Sequence, residues 1–153
     1  MKISEFLPES LVAPALKGQT KTEIIRELAG LMAAEHAEID AARLEEVLWD
    51  RERLGSTAIG DGIAIPHGKL PGLKTVLGAF GRHVGGVEFQ SLDGKPSHLF
   101  FLLVAPEDSV GLHLKALARV SRLLKTPAFR SSLLAAEDRG TLYQLICEED
   151  DKH

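Results

Sequence analysis

The segment "HLFFLLVA", residues 98–105, is an unbroken run of mostly apolar, strand-forming residues. Successive side chains of a strand point to opposite faces of a sheet, so a strand that is apolar at nearly every position must be covered on both faces. We therefore expect residues 98–105 to form the central strand of the fold. Further strands are predicted at "TVLGAF" (75–80) and "GVEFQ" (86–90).

Helical patterns lie before and after these strands. Thr20 and Asp40 each precede apolar residues at helical spacing and are predicted N-caps, and Gly55 is the predicted end of the second helix. Three more helices are predicted at 109–125, from Pro127 onwards, and at 140–149. This order predicts an α/β fold: a single-domain sandwich over residues 1–153, with a mixed central β-sheet flanked by helices. The acidic end "CEEDDKH" (147–153) is expected to fray.

Composition excludes several classes of function. The chain has 153 residues and a net charge of -4, which does not favour nucleic-acid binding. It has no apolar run of membrane-spanning length and no signal peptide, so we expect a cytoplasmic protein without membrane insertion. Cys147 is the only cysteine, and CxxC and HExxH motifs are absent. We therefore expect no internal disulfide and no structural zinc site.

The stretch "IAIPHGK" (63–69) presents a histidine between two residues that shape the backbone. Pro66 fixes its own φ, and Gly68 tolerates unusual backbone conformations and leaves room beside the imidazole. These residues predict a stiff, exposed turn at a strand end that presents His67, with a backbone carbonyl holding one ring nitrogen. A loop histidine without a chemical task fits the residues alone equally well.

Two further side chains are candidates for the same site. His113 shares the apolar stripe of the third predicted helix, which favours a core histidine, but it also lies near that helix's N-terminus, where anions bind. Arg51 flanks the apolar face of the second helix and would suit a phosphoryl group, whereas a solvated helix end is the ordinary alternative. Arg53 lies two residues away and is less well placed. The other histidines are interpreted as structural or solvent-facing, with His83 in a glycine-rich turn: His36, His83, His98 and His153.

The segment "RERLGSTAIGDGIAIPHGKL" (51–70) resembles the active-site segment of bacterial phosphotransferase-system IIA proteins of the fructose/mannitol class. The resemblance extends over nearly the whole chain, through "LPESLV" (7–12), "KTEIIRELAGLMA" (21–33) and "FFLLVAPEDSVGLHLKALARVSRLL" (100–124), and is closest to the nitrogen-regulatory branch.

The resemblance implies that His67 accepts a phosphoryl group from an HPr-like phosphohistidine carrier protein. His113 then corresponds to the family's phosphoryl-binding histidine and Arg51 to its active-site arginine. It implies an α/β sandwich, no metal and no cofactor. The resemblance to the nitrogen-regulatory branch, and a chain of one domain, favour a regulator whose docking on partners in nitrogen or potassium metabolism depends on phosphorylation.

Two alternatives remain open. The first is a stand-alone IIA subunit that passes the phosphoryl group to a IIB unit in fructose- or mannitol-type sugar uptake. The second is an interaction module in which His67 is never phosphorylated. The sequence also leaves open whether the protein is a monomer or a homodimer.

Overall fold

A computed structural model describes residues 1–153. It contains five α-helices and a six-stranded sheet, with two 3-10 turns near the N-terminus. In chain order the helices are α1 (Lys21–Glu35), α2 (Ala41–Glu52), α3 (Val110–Leu124), α4 (Pro127–Ala135) and α5 (Arg139–Asp151). The strands are β1 (Val12–Ala13), β2 (Ala58–Gly60), β3 (Ile63–Ala64), β4 (His67–Leu70), β5 (Leu77–Val87) and β6 (Ser97–Pro106). None of the helices combines the length and apolarity needed to cross a membrane.

Strand β6 lies inside the sheet, as its apolar run predicted. It pairs with β5 in antiparallel orientation on one side and with β3 and β4 in parallel orientation on the other. Phe101 packs edge-on against Phe6 and Phe80, with ring centroids 6.3 and 6.1 Å apart, and Phe100 packs against Phe89 at 5.3 Å. Both faces of β6 are therefore covered, and the predicted mixed sheet flanked by helices is confirmed.

The predicted helix caps are present. The Thr20 side chain accepts a hydrogen bond from the Glu23 amide at 3.2 Å, and Asp40 accepts one from the Ala42 amide at 3.2 Å. These caps satisfy amides that have no partner within the helix, so α1 and α2 begin where the sequence predicts. Helix α2 ends at Glu52, and Gly55 follows it with a φ of 146°.

The prediction of separate strands at 75–80 and 86–90 is wrong. Strand β5 runs from Leu77 to Val87 without a break in the strand, and residues 88–90 lie outside it. The segment that resembles a glycine-rich turn is instead a bulged part of β5, where the register with β6 shifts between Arg82 and Val87. His83 accordingly lies in a strand and is buried.

The acidic C-terminus is more ordered than expected. Helix α5 extends through Asp151, and Asp150 is only 3% exposed. The Asp150 carboxylate accepts hydrogen bonds from the Ile3 amide at 2.7 Å and from Arg119 Nε at 2.6 Å. Because these bonds tie α5 to the N-terminus and to α3, the expectation of fraying is wrong for residues 147–151.

Candidate functional site

His67 is the first residue of β4 and not part of a turn. β3 and β4 pair with β6 in the same parallel register, and the Pro66 carbonyl between them accepts a hydrogen bond from the Leu103 amide at 3.0 Å. The chain therefore passes straight through Pro66, because proline lacks an N–H but its φ is compatible with extended backbone. The predicted turn is wrong, and the half-buried His67 side chain is presented from the sheet itself.

A backbone carbonyl fixes the His67 ring. Nδ1 lies 2.8 Å from the Ile65 carbonyl oxygen, so the ring carries its proton on Nδ1 and donates it there. Nε2 is then the nitrogen with a free lone pair. Burial lowers the pKa of His67 below its ordinary value of 6.5, while the Ile65 bond raises it, the Arg51 charge lowers it and the Glu52 charge raises it. His67 is thus a neutral imidazole at pH 7.

Arg51 approaches the free nitrogen of His67. It lies in the last turn of α2, where cations are favoured by the helix dipole, and its Nε donates to His67 Nε2 at 3.3 Å. A second nitrogen, Nη1, donates to the Gly55 carbonyl at 2.9 Å. Arg53 instead pairs with Asp50 on the surface, and its side chain is 66% exposed. The structure therefore brings Arg51, and not Arg53, to His67.

Gly68 allows α2 to lie close to β4. A Cβ atom at this position would lie 2.6 Å from Val47 Cγ1 and 3.7 Å from Leu48 Cδ2. The φ of Gly68 is not positive, so the residue is required for space and not for an unusual backbone conformation. The close approach places the last turn of α2, and with it Arg51, beside His67.

His113 reaches the site from the first turn of α3. Its ring centroid lies 5.4 Å from that of His67, and the residue is 7% exposed. Burial, followed by the charges of His67 and Lys69, lowers the pKa of His113 to about 4. Its buried Nδ1 has no hydrogen-bond partner. The His113 ring is therefore a neutral imidazole with one unsatisfied nitrogen, and it lies next to the His67 ring.

Lys69 is a member of the site that the sequence interpretation missed. It follows His67 by two residues on β4, so both side chains lie on the same face of the strand. The signal was the period-two spacing, which the predicted turn at His67 concealed.

Ser56 and Thr57 follow Arg51 closely in the sequence, but their hydroxyl groups bond to other residues. The Ser56 hydroxyl donates to the Phe89 carbonyl, and the Thr57 hydroxyl donates to the Glu52 carboxylate.

These residues line an open cavity of about 500 Å³. Its walls are formed by Val47, Asp50, Arg51, Leu54, His67, Gly68, Lys69, His113, Leu114 and Leu117. Its walls include the guanidinium of Arg51 and the ammonium group of Lys69 beside the two imidazoles, whereas Asp50, its one carboxylate, is paired with Arg53. No group of three or more His, Cys, Asp or Glu side chains comes together in the chain as a metal site. The cavity is suited to a small, doubly charged anion such as a phosphoryl group.

Comparison with known proteins agrees with this fold. The sequence model of the family described as "Phosphoenolpyruvate-dependent sugar phosphotransferase system, EIIA 2" matches residues 5–149. The chain therefore belongs to this EIIA type 2 family, as its resemblance predicted.

The particular relatives point to one branch of the family. A nitrogen regulatory protein of Bradyrhizobium diazoefficiens is 42% identical over 146 residues, which are 95% of each chain. The crystal structure of the nitrogen regulatory protein IIA-Ntr from Neisseria meningitidis superposes with a TM-score of 0.88 at 34% identity, covering 94% of this chain and 98% of that one. A fructose-specific EIIABC component of Bacillus subtilis is 36% identical over 98% of this chain but only 24% of its own length. The predicted likeness to the nitrogen-regulatory branch is confirmed.

Proposed function

We propose that this protein is a phosphocarrier that accepts a phosphoryl group on Nε2 of His67 from an HPr-like phosphohistidine carrier protein. The observation that supports this most directly is the pair of contacts on the His67 ring. The Ile65 carbonyl holds the proton on Nδ1, and Nε2 opens into a cavity that contains two cationic side chains. A neutral, oriented imidazole beside cations is what nucleophilic attack on a phosphoryl group requires.

The transfer exchanges one N–P bond for another. The lone pair of His67 Nε2 attacks phosphorus, the N–P bond of the donor breaks, and the donor imidazole leaves with the bonding electrons. The proton stays on His67 Nδ1 throughout, where it is donated to the Ile65 carbonyl oxygen. Arg51 Nε occupies the attacking lone pair in the free protein, so the guanidinium must turn from nitrogen to the phosphoryl oxygens as the donor arrives. Lys69, which lines the same cavity, would stabilise the same charge.

We further propose that the phosphorylated and unphosphorylated forms regulate partners in nitrogen or potassium metabolism. The relative from Bradyrhizobium diazoefficiens, named a nitrogen regulatory protein, matches this chain over nearly its full length. A phosphoryl group adds about -1.5 to -2 charges at pH 7 to a cavity rimmed by exposed apolar residues, which changes what can dock there.

The phosphoacceptor assignment is tested by labelling. Incubation with phosphoenolpyruvate, the general phosphotransfer enzyme and the small carrier protein should add one acid-labile phosphate to the protein. His67→Ala should take up none, and His98→Ala should be labelled as fully as the natural protein because His98 lies outside the cavity. Equal labelling of His67→Ala would show that the acceptor is another residue.

The second candidate function is that of a IIA subunit in fructose- or mannitol-type sugar uptake. The 36% identity to the fructose-specific component of Bacillus subtilis favours it. The phosphorylated protein would then lose its label to a fructose-type IIB domain within seconds. Retention of the label, with pull-down of different partners by the two forms, would favour regulation.

A further inference from the structure

Lys21 and Glu52 form a buried ion pair that takes no part in the proposed phosphoryl transfer. Lys21 Nζ is 2.9 Å from Glu52 Oε1, and the two side chains are only 9% and 1% exposed. Removing two charges from water is costly, so a buried pair is weak evidence for stability and needs another explanation. Glu52 directly follows Arg51 at the end of α2.

The Glu52 carboxylate closes the loop that follows α2. It accepts hydrogen bonds from the Thr57 amide at 3.1 Å and from the Thr57 hydroxyl. Lys21 fixes the carboxylate from behind, and it also donates to Gln90 Oε1 at 2.9 Å and lies 4.9 Å from the centroid of the Phe89 ring. The loop of residues 53–56 is thereby held at both of its ends.

Two parts of the site are attached to this loop. Arg51 Nη1 donates to the Gly55 carbonyl within it at 2.9 Å. At its far end the Thr57 carbonyl accepts the Ile65 amide at 3.0 Å, and the Ile65 carbonyl holds His67 Nδ1 at 2.8 Å. Glu52 does not contact His67. However, the loop that it closes is hydrogen-bonded to Arg51, which contacts Nε2 of His67, and to Ile65, which contacts Nδ1.

We infer that Glu52, paired with Lys21, is a positioning residue that holds Arg51 and His67 in register for phosphoryl transfer. This inference rests on the proposed function for its kinetic part. Its structural part, that Glu52 keeps Arg51 in contact with His67, concerns the unphosphorylated protein and does not depend on the proposed function.

The pKa of His67 distinguishes a positioning role of Glu52 from a purely electrostatic effect of its charge. Arg51 and Glu52 from α2 shift the pKa of His67, and His113 from α3 and Lys69 from β4 line the same cavity. The Arg51 charge lowers the pKa of His67 more than the Glu52 charge raises it. Loss of the carboxylate charge alone would therefore lower the pKa, whereas release of Arg51 would raise it.

The experiment compares Glu52→Gln with the double variant Glu52→Gln/Lys21→Gln, which leaves no unpaired buried charge and guards against misfolding. Asp150→Asn is the matched control, because it breaks another buried ion pair, with Arg119, away from the cavity. His67 is titrated by NMR in each folded protein, and the rate of phosphoryl uptake from the carrier is measured.

Both Glu52 variants should show a higher His67 pKa than the natural protein, together with uptake slowed at least about tenfold, as expected when reacting groups lose alignment. Asp150→Asn should change neither. A lowered or unchanged His67 pKa in the Glu52 variants would overturn the inference. If the natural protein takes up no phosphate, the proposed function fails, while the titration still decides the role of Glu52.

Discussion

Arg51 Nε donates to the very nitrogen of His67, Nε2, that would attack a phosphoryl group, at 3.3 Å. In the proposed transfer, this arginine would cover the attacking nitrogen until the donor binds and would then turn to the phosphoryl oxygens. It also disfavours protonation of Nε2, because its positive charge lowers the pKa of His67.

Replacing this arginine should slow transfer strongly. We expect Arg51→Ala to reduce the rate of phosphoryl uptake roughly 100-fold, the typical effect of losing one preorganised donor to a transition-state charge. Arg53→Ala is the control, because Arg53 forms an exposed pair of little energetic value with Asp50. Rapid-quench labelling measures both, and equal losses in the two variants would contradict the assignment of Arg51.

Gly68→Ala should force α2 away from β4. The new Cβ would lie 2.6 Å from Val47 Cγ1, and overpacking of this kind costs about 1–3 kcal/mol of stability. Phosphoryl uptake should slow as well, because α2 carries Arg51. Adding Val47→Ala removes the clashing methyl group and should restore most of both losses. Urea unfolding and labelling kinetics measure the effects, and an absence of rescue would locate the strain elsewhere.

His113 should make stability depend on pH between about 4 and 6.5. Its pKa is about 4 in the folded protein and 6.5 in the unfolded chain. The unfolded chain therefore binds more protons in this interval, so the contribution of His113 is fully present above pH 6.5 and is lost as the pH falls through 4. The loss approaches about 3 kcal/mol at most. His113→Gln should flatten the pH dependence of the free energy of unfolding, and an unchanged slope would show that other groups cause it.

Leu54 and Leu114 should contribute to docking of the carrier protein. They are 85% and 58% exposed and both line the cavity that contains His67. Exposed apolar side chains beside a reactive group mark a protein-binding surface. Leu54→Asp should lower the second-order rate constant of phosphoryl uptake about tenfold, a typical loss for a buried interface residue. Leu92→Asp, 78% exposed and outside the cavity, should have no effect.

Asp150→Asn should destabilise the fold and leave the site intact. The substitution removes the charge that pairs with Arg119 and weakens the bond to the Ile3 amide, and breaking a buried ion pair costs about 3 kcal/mol or more. Thermal unfolding measures the loss. A stability equal to that of the natural protein would mean that the C-terminal residues of α5 are held by packing alone.

Local patterns were sufficient for most of the fold. The apolar run at 98–105 identified the central strand because a strand covered on both faces buries the side chains of both faces. Thr20 and Asp40 identified helix starts because capping depends on residues only two or three positions apart. The same reasoning failed at residues 81–86, where glycines indicated a turn. There the long antiparallel pairing with β6 continues through a bulge, which no local pattern reveals.

For the site, the sequence alone determined which residues are candidates and which family the chain resembles, since residue types and their spacing along the chain carry that information. Only the tertiary structure decided that the chain runs straight through Pro66, that Lys69 joins His67, and that Arg51 and not Arg53 contacts its ring. It also changed the role of Gly68 from a flexible turn residue to the contact that admits α2. These features depend on how segments that are far apart in the sequence pack against one another. The packing of the core sets this arrangement, and no local pattern shows it.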